Sequence, residues 1–355
     1  MKHHKIKATT ESVHWGYYNN RMDPIHRIRP GDIVDIETIT HHAGDAPDYM
    51  MDDEIRKIYD AININDRGPG CHILTGPIYI EGVGPGDILE CRILDLQTRP
   101  NIPYGINFKA NWGLLYDDFD QKEYVTLYEI DEEIAAAKAV FNYEFPGVLD
   151  KPGPYTAPDA VERKPALEGI RVPLNYHLGT IGVAPAKKGV IDTIPPGVFG
   201  GNMDSKDYTV GSSMYYPVQV EGALFSVGDP HLAQGDGEVA GTAIEGHMNA
   251  TLQFFVRDDI KIQNPVLETP THWVIHGFHQ DLNKAMRLAT LEMIDFLVDN
   301  KGLNRVEAYS LISVAANFSV TQVVNLEQGV HCSIRKDIFP QNQGSGKTSN
   351  VTKIT

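Results

Sequence analysis

Between Pro195 and His247 the chain sets Asp204, Asp229, His231, Asp236, Glu238, Glu245 and His247 among glycines, in the runs IPPGVFGGNMD and GALFSVGDPHLAQGDGEVAGTAIEGH. Glycines let a backbone turn sharply, so several side chains can be aimed at one point. A divalent cation needs three or four oxygen or imidazole donors, and a catalytic site leaves one position for water. Asp229 and His231 stand two apart across Pro230, so extended backbone points both to the same side. Glu238 follows in a Gly-Asp-Gly-Glu turn, close enough to hydrogen-bond a bound water without being a ligand. A cation brings such a water to a roughly neutral pKa, and a carboxylate can then take its proton as it attacks a carbonyl. The segment reads as a hydrolytic metal site. Asp/Gly-rich turns also build ordinary hairpins, so the density of the cluster carries this reading, not any one residue.

The elements that must hold these groups are mostly strands. Pro30-Gly31-Asp32 leads into IVDIET and Pro85-Gly86-Asp87 into ILECRI, each a turn launching an alternating strand. In the second strand Leu89, Cys91 and Ile93 share one face, with Glu90 and Arg92 on the other. A later phrase, PVQVEGALFSVGD, echoes PIYIEGVGPGD, which suggests an internal duplication; convergent turn chemistry is the alternative. Residues 1–100 form a first β unit, 173–270 a second that carries the site, and 271–340 a helical segment with a closing strand. The stretch 101–172 between the units reads as an excursion over the surface. Within it EIDEEIAAAKAV suits a short helix, and Tyr104, Phe108, Trp112 and Tyr116 suit a pocket wall or the core. From Asp281 to Asn300 the period changes to three and four: Leu282, Ala285, Ala289, Met293 and Phe296 line up, Asp281 caps the start and Gly302 ends the run. Asn304 and Glu307 form a capping pair before a second helix. The fold expected is a single mainly β domain, sandwich- or barrel-like, with C-terminal α-helices, α+β overall.

A chain of 355 residues buries a sizeable core, and its formal charge of −16 argues against nucleic acid and an anionic membrane surface as partners, since both demand basic patches. Small neutral substrates fit. Cys71, Cys91 and Cys332 form no CxxC pair, which points to a reducing compartment. No apolar run approaches the roughly twenty residues that span a bilayer, and MKHHKIKATT lacks the apolar core of a secretory signal, so the cytoplasm is the expected location. An acidic, strand-rich enzyme of this size is expected to form a homo-oligomer.

The strings HWGYYN, ETITHHAGD, GCHILTGPIYIEGVGPGDILE, HLGTIGVAP, PPGVFGGNMD and VGDPHLAQGDGEVAGTAIE, with the closing GVHCSI, resemble the acetamidase/formamidase family over nearly the whole chain. The Gly-Gly-Ser-Ser-Gly-Gly run of the amidase-signature enzymes is absent; Gly211, Ser212, Ser213 and Met214 do not reproduce it. The resemblance implies a largely β fold, a bound divalent metal (zinc, with calcium as a possible second ion) and cleavage of a formyl or acetyl amide to acid and ammonia. It places Asn202 and Asp204 in a GGNMD motif, and Asp229, His231 and Glu238 in a GD-x-H…G-x-GE motif.

The resulting expectation gives Asp204, Asp229, His231 and His72 to the metal. Glu238 is the base and then the proton donor to ammonia, Gly200, Gly201 and Asn202 receive the oxyanion, and His42 and Gly200 contact substrate. His41 and His42 are adjacent, and from extended chain only one of them reaches the site. His14 reads as packing, and His272, His276 and His279 as parts of a buried strand or loop. Three other readings stay open. Cys71 beside His72 could form a thiolate nucleophile. The scaffold could also serve a larger formamide or related C–N substrate, or bind calcium or zinc without catalysis.

Overall fold

The two Pro-Gly-Asp phrases fold alike. In this computed structural model, which describes residues 1–340, Gly31 and Gly86 take φ of 90° and 98°. Each aspartate accepts from the N–H three residues earlier, Asp32 Oδ2 from Arg29 at 3.1 Å and Asp87 Oδ2 from Gly84 at 2.9 Å. The strands they launch, Ile33–Thr38 and Ile88–Thr98, flank the Met248–Arg257 strand within one nine-stranded sheet. The third phrase departs from this pattern. Its Gly228-Asp229 lies inside the Phe225–Ala233 strand of a second, eleven-stranded sheet, and no turn forms there.

Strand alternation decides how these sheets stack. Leu89, Cys91 and Ile93 face a core shared with Leu74, Leu178, Phe225 and Val227 of the second sheet, so the largest apolar cluster lies between the two sheets. Phe225 and Phe254 meet there edge to face at 4.8 Å, a contact whose truncation to alanine would cost roughly 3–5 kcal/mol. Glu90, on the opposite face, is buried but bonded to Arg92 and Arg257 at 2.6 and 2.7 Å. Neither sheet closes on itself; the architecture is a sandwich of open sheets, not a barrel.

Each outer face is covered. The Leu282–Lys301 and Arg305–Ala315 helices pack Ala285, Ala289, Met293 and Ile312 against Tyr215, Ile275 and Cys332 of the smaller sheet. Their ends follow the local code: the Asp281 side chain accepts from Lys284 N–H, Gly302 adopts φ 72°, and Asn304 with Glu307 completes a capping box. On the far side Ala43, Met50, Ile55 and Tyr59 cover Ile106, Phe108 and Val125 of the larger sheet. Among the described residues no helix is long and apolar enough to cross a membrane.

The stretch after residue 101 differs from the reading given above. Residues Tyr104–Lys109, Tyr124–Asp131 and Ala136–Glu144 are antiparallel strands of the larger sheet. EIDEEIAAAKAV is therefore a hairpin, not a helix, with Ala135 at φ 48° in its turn. Pairing on both sides of Tyr124–Asp131 overrides the helix preference of its alanines and glutamates. The chain runs irregularly over residues 110–123 and again beyond Phe145, where it packs against the turn at residues 43–45: Thr156 N–H donates to Gly44 O at 2.9 Å.

Candidate active site

The site is assembled on the adjoining His177–Gly182, Phe225–Ala233 and Ile244–Glu245 strands. Their registers place His177 opposite His231 and His231 opposite Glu245. Asp229 and His231 converge, with Oδ2 and Nε2 3.3 Å apart, although the backbone is not extended at Asp229, and both are buried. Asp204 follows the Gly200–Asn202 strand, and Glu238 sits in the turn between the other two. Asp204, Asp229 and Glu238 hold positive φ of 44°, 56° and 48°, a backbone cost of order 1–3 kcal/mol each that surrounding structure must sustain.

Donor atoms crowd one point. His231 Nε2 lies 3.3 Å from Asp229 Oδ2, 3.3 Å from Glu245 Oε1 and 3.8 Å from Asp204 Oδ1. His72 Nε2 approaches Asp229 Oδ2 at 3.6 Å. Gly179 makes the approach possible, because a Cβ there would come within 2.5 Å of Asp229 Oδ2 and 2.6 Å of Asp204 Oδ1. Behind His231, Gln234 Oε1 faces Nδ1 at 3.0 Å, while Gln234 Nε2 donates to Asp204 O at 2.8 Å. The Asn325 amide donates to Asp204 Oδ2, and Thr180 Oγ1 sits 3.0 Å from Asp229 Oδ2 and 2.7 Å from Asn202 Oδ1.

The electrostatics follow from so many charges in a dry place. Burial pushes Glu238 well above the usual carboxylate range, and the neighbouring Asp204 adds to it; burial likewise raises Asp204 and brings Glu245 up to about 7. Burial works against charge on Asp229 too, but His72 and His231 outweigh it and hold that carboxyl well below its ordinary value. His231 is raised well above the imidazole range, Glu245 and Asp229 overcoming its burial. Asp204 Oδ1, Glu238 Oε2 and Glu245 Oε2 are buried without a hydrogen-bond partner. Three orphaned carboxylate oxygens in the cluster, with Asp229 Oδ2, Glu245 Oε1 and Asp204 Oδ1 lying 3.3, 3.3 and 3.8 Å from His231 Nε2, fit a divalent cation of about 2.0–2.2 Å bond length.

These atoms face a cavity of about 250 Å³ bordered by His41, His42, Cys71, His72, Trp112, Leu149, Asn202 and Asn325. Both histidines of the adjacent pair border it, their rings 4.1 Å apart, because the backbone turns at His42 (φ −96°, ψ 4°) and is not extended. Other residues fall elsewhere. Gly200 and Gly201 do not border the cavity, and the Gly200 N–H already donates to Gly197 O at 2.9 Å. The Asn202 side chain is spent on Thr180 and on Ile194 O at 3.0 Å. Asp236 pairs with Lys206, and His247 bonds to Met50 O at 2.8 Å. Cys71 Sγ lies 3.3 Å from His72 Nε2, but burial, with Asp229 behind it, raises the thiol well above its ordinary value. Glu245, Asn325, Gln234 and His177 join the site from positions to which the sequence assigned no role. Glu245 lay inside the acidic run, and His177 and Gln234 inside the HLGTIGVAP and VGDPHLAQGDGEVAGTAIE strings; Asn325 carried no signal.

Residues 2–190 and 187–341 match the Acetamidase/Formamidase family model. The chain is 27% identical to a formamidase of Methylophilus methylotrophus, over 87% of this chain and 86% of that one. It is 34% identical to an acetamidase of Mycolicibacterium smegmatis over 48% of this chain and 49% of that one. Among solved structures, an acetamidase from Bacillus halodurans superposes with a TM-score of 0.73 at 28% identity, covering 94% of this chain and 98% of that one. Sandwich, buried carboxylate–imidazole centre and relatives together define an amidohydrolase. The chain belongs to the acetamidase/formamidase family.

Proposed function

We propose that this amidohydrolase cleaves a short linear amide, of the size of formamide or acetamide, to a carboxylic acid and ammonia with the help of a divalent metal. The observation that carries the reading is the set of three unpartnered carboxylate oxygens beside His231, opening on a small, partly apolar cavity. Asp204, Asp229, His231 and Glu245, with His72 at the edge, would hold the ion; zinc suits a mixed imidazole and carboxylate set, with calcium the alternative. When bound, such an ion polarises a carbonyl and acidifies water.

The chain's own groups do the rest. Gln234 and Thr180 orient His231 and Asp229 from behind, so the polar face is set before substrate arrives. Glu238, buried at the cavity wall with Oε2 free, is placed to take the proton of an attacking water in its carboxylate form, which the charge of an ion held at the centre would favour against the burial that raises it. Asn325 restrains Asp204. A second reading, a larger formamide, is favoured by Trp112, Leu149 and Pro152, which bring apolar surface to the cavity from the 101–172 stretch.

Ammonia release from formamide, acetamide and a series of N-formyl amines of rising size, by wild type and Glu238→Ala, separates these readings. The first predicts activity that falls with size and fails in the variant; full turnover by Glu238→Ala contradicts the role given to that residue. Three free cysteines support a reducing, cytoplasmic setting. The exposed Val306, Tyr309 and Val314 on the outer helix support a homo-oligomer, which light scattering would test.

A further inference from the structure

The THHAGD segment holds a second acid–base device on the cavity wall. His42 Nδ1 lies 2.7 Å from Asp45 Oδ2, both residues are only 2% exposed, and His42 Nε2 is buried without a hydrogen-bond partner. The turn that bears them is fixed from several sides. Tyr59 Oη donates to Thr40 O at 2.8 Å and accepts from Ala43 N–H at 3.0 Å, and Tyr143 Oη donates to Asp45 O at 2.6 Å. Gly44 lets the 152–154 segment pack directly on the turn, since a Cβ there would meet Pro154 O at 1.9 Å. A carboxylate that fixes one nitrogen of a histidine while the other faces a cavity is the arrangement that lets imidazole pass a proton to a reacting atom.

We propose that His42, oriented by Asp45, is the catalytic acid that protonates the leaving nitrogen, leaving Glu238 to act only as the base. The inference rests on the amide-hydrolysis reading above. In the forward step water gives one proton to the Glu238 carboxylate, its oxygen bonds to the carbonyl carbon, and the carbonyl π pair moves to oxygen. As the carbonyl re-forms, the C–N bond breaks with its electron pair going to nitrogen. That nitrogen takes the Nε2 proton of the His42 imidazolium and leaves as ammonia. The proton held by Glu238 returns through solvent to His42, so amide plus water gives acid plus ammonia. Burial opposes charge on His42, but the Asp45 carboxyl, with Glu245 and Asp229 adding to it, raises it above its ordinary imidazole value.

The test compares an amide, whose nitrogen must be protonated to leave, with an ester whose leaving group needs no proton. Ammonia release from acetamide and nitrophenolate release from p-nitrophenyl acetate are measured for wild type, His42→Gln and Asp45→Asn. The variants should lose about 10²-fold or more in kcat on the amide, the low end of what general acid catalysis contributes, and stay within about fivefold on the ester. Ester turnover also reports that the variant is folded; if His42→Gln does not fold, Asp45→Asn carries the comparison. Equal loss on both substrates, or amide turnover within threefold of wild type, overturns the assignment. A wild type that cleaves the ester but no amide overturns the functional reading beneath it, a result distinct from either.

Discussion

Gly179→Ala adds one methyl group at the point where the site's side chains meet. The new carbon would lie 2.5 Å from Asp229 Oδ2, 2.6 Å from Asp204 Oδ1 and 2.6 Å from His231 Cε1. Ordinary contact needs about 3.5–4.0 Å, so each group must retreat by roughly 1 Å. None has anywhere to go: Asp204 is held by Asn325, Asp229 by Thr180, and His231 by Gln234. Gly179 is not among the glycines with positive φ, so backbone conformation does not forbid alanine and the cost falls on packing. Overpacking of this kind destabilises by about 1–3 kcal/mol, whereas displacement of reacting groups by about 1 Å lowers turnover by about 10²-fold. The assay is kcat/KM for amide cleavage beside a denaturant melt and the metal content of the same preparation. A folded variant with turnover reduced 10²-fold or more and metal binding weakened is expected. Turnover within threefold of wild type would show that these three side chains do not form one functional unit.

The remaining predictions concern a buried histidine outside the site and the cysteine within it. Burial, with His331 nearby, lowers His276 to about 3, and neither ring nitrogen has a partner. Its folded pKa lies below the unfolded value of about 6.5, so its contribution to stability is complete above pH 6.5 and declines as pH falls toward 3. Between pH 7 and 4.5 this group alone should cost wild type about 3 kcal/mol, and His276→Leu should lack that share in urea melts at the two pH values. An equal pH dependence in both proteins would refute it. Cys71→Ser should keep amide turnover within about threefold, since a thiol raised by burial and Asp229 supplies no thiolate; loss of all turnover, with the variant folded, would return the nucleophile reading to favour.

How much could be read in advance depended on how local the determinant was. Helix ends were legible because Asp281, Gly302, Asn304 and Glu307 act on backbone groups within a turn of themselves. So were the Pro-Gly-Asp turns, whose aspartates bond three residues back. The 129–140 segment misled, because its alanines and glutamates favour helix alone while pairing with Tyr104–Lys109 and Ala136–Glu144 makes Tyr124–Asp131 a strand. At the site, the expected cluster of Asp204, Asp229, His231 and Glu238 came together, since one β segment and its turn carry most of it. Asn325 was not legible, because what recruits it is proximity across the fold and not a motif; Gln234 lay within the VGDPHLAQGDGEVAGTAIE string, three residues from His231, but an amide there carries no sign of its role. Gly200 and Gly201 misled for the opposite reason: a glycine run suggests free N–H groups, yet here it serves strand pairing with Ile181 and Gly182.

The central claim, metal-dependent amide hydrolysis at the Asp204–Asp229–His231 centre, is tested most directly by ammonia release from formamide and acetamide before chelation, after chelation and after zinc is restored. Release should disappear with the metal and return with it. Release that persists in the chelated, metal-free protein would contradict the claim.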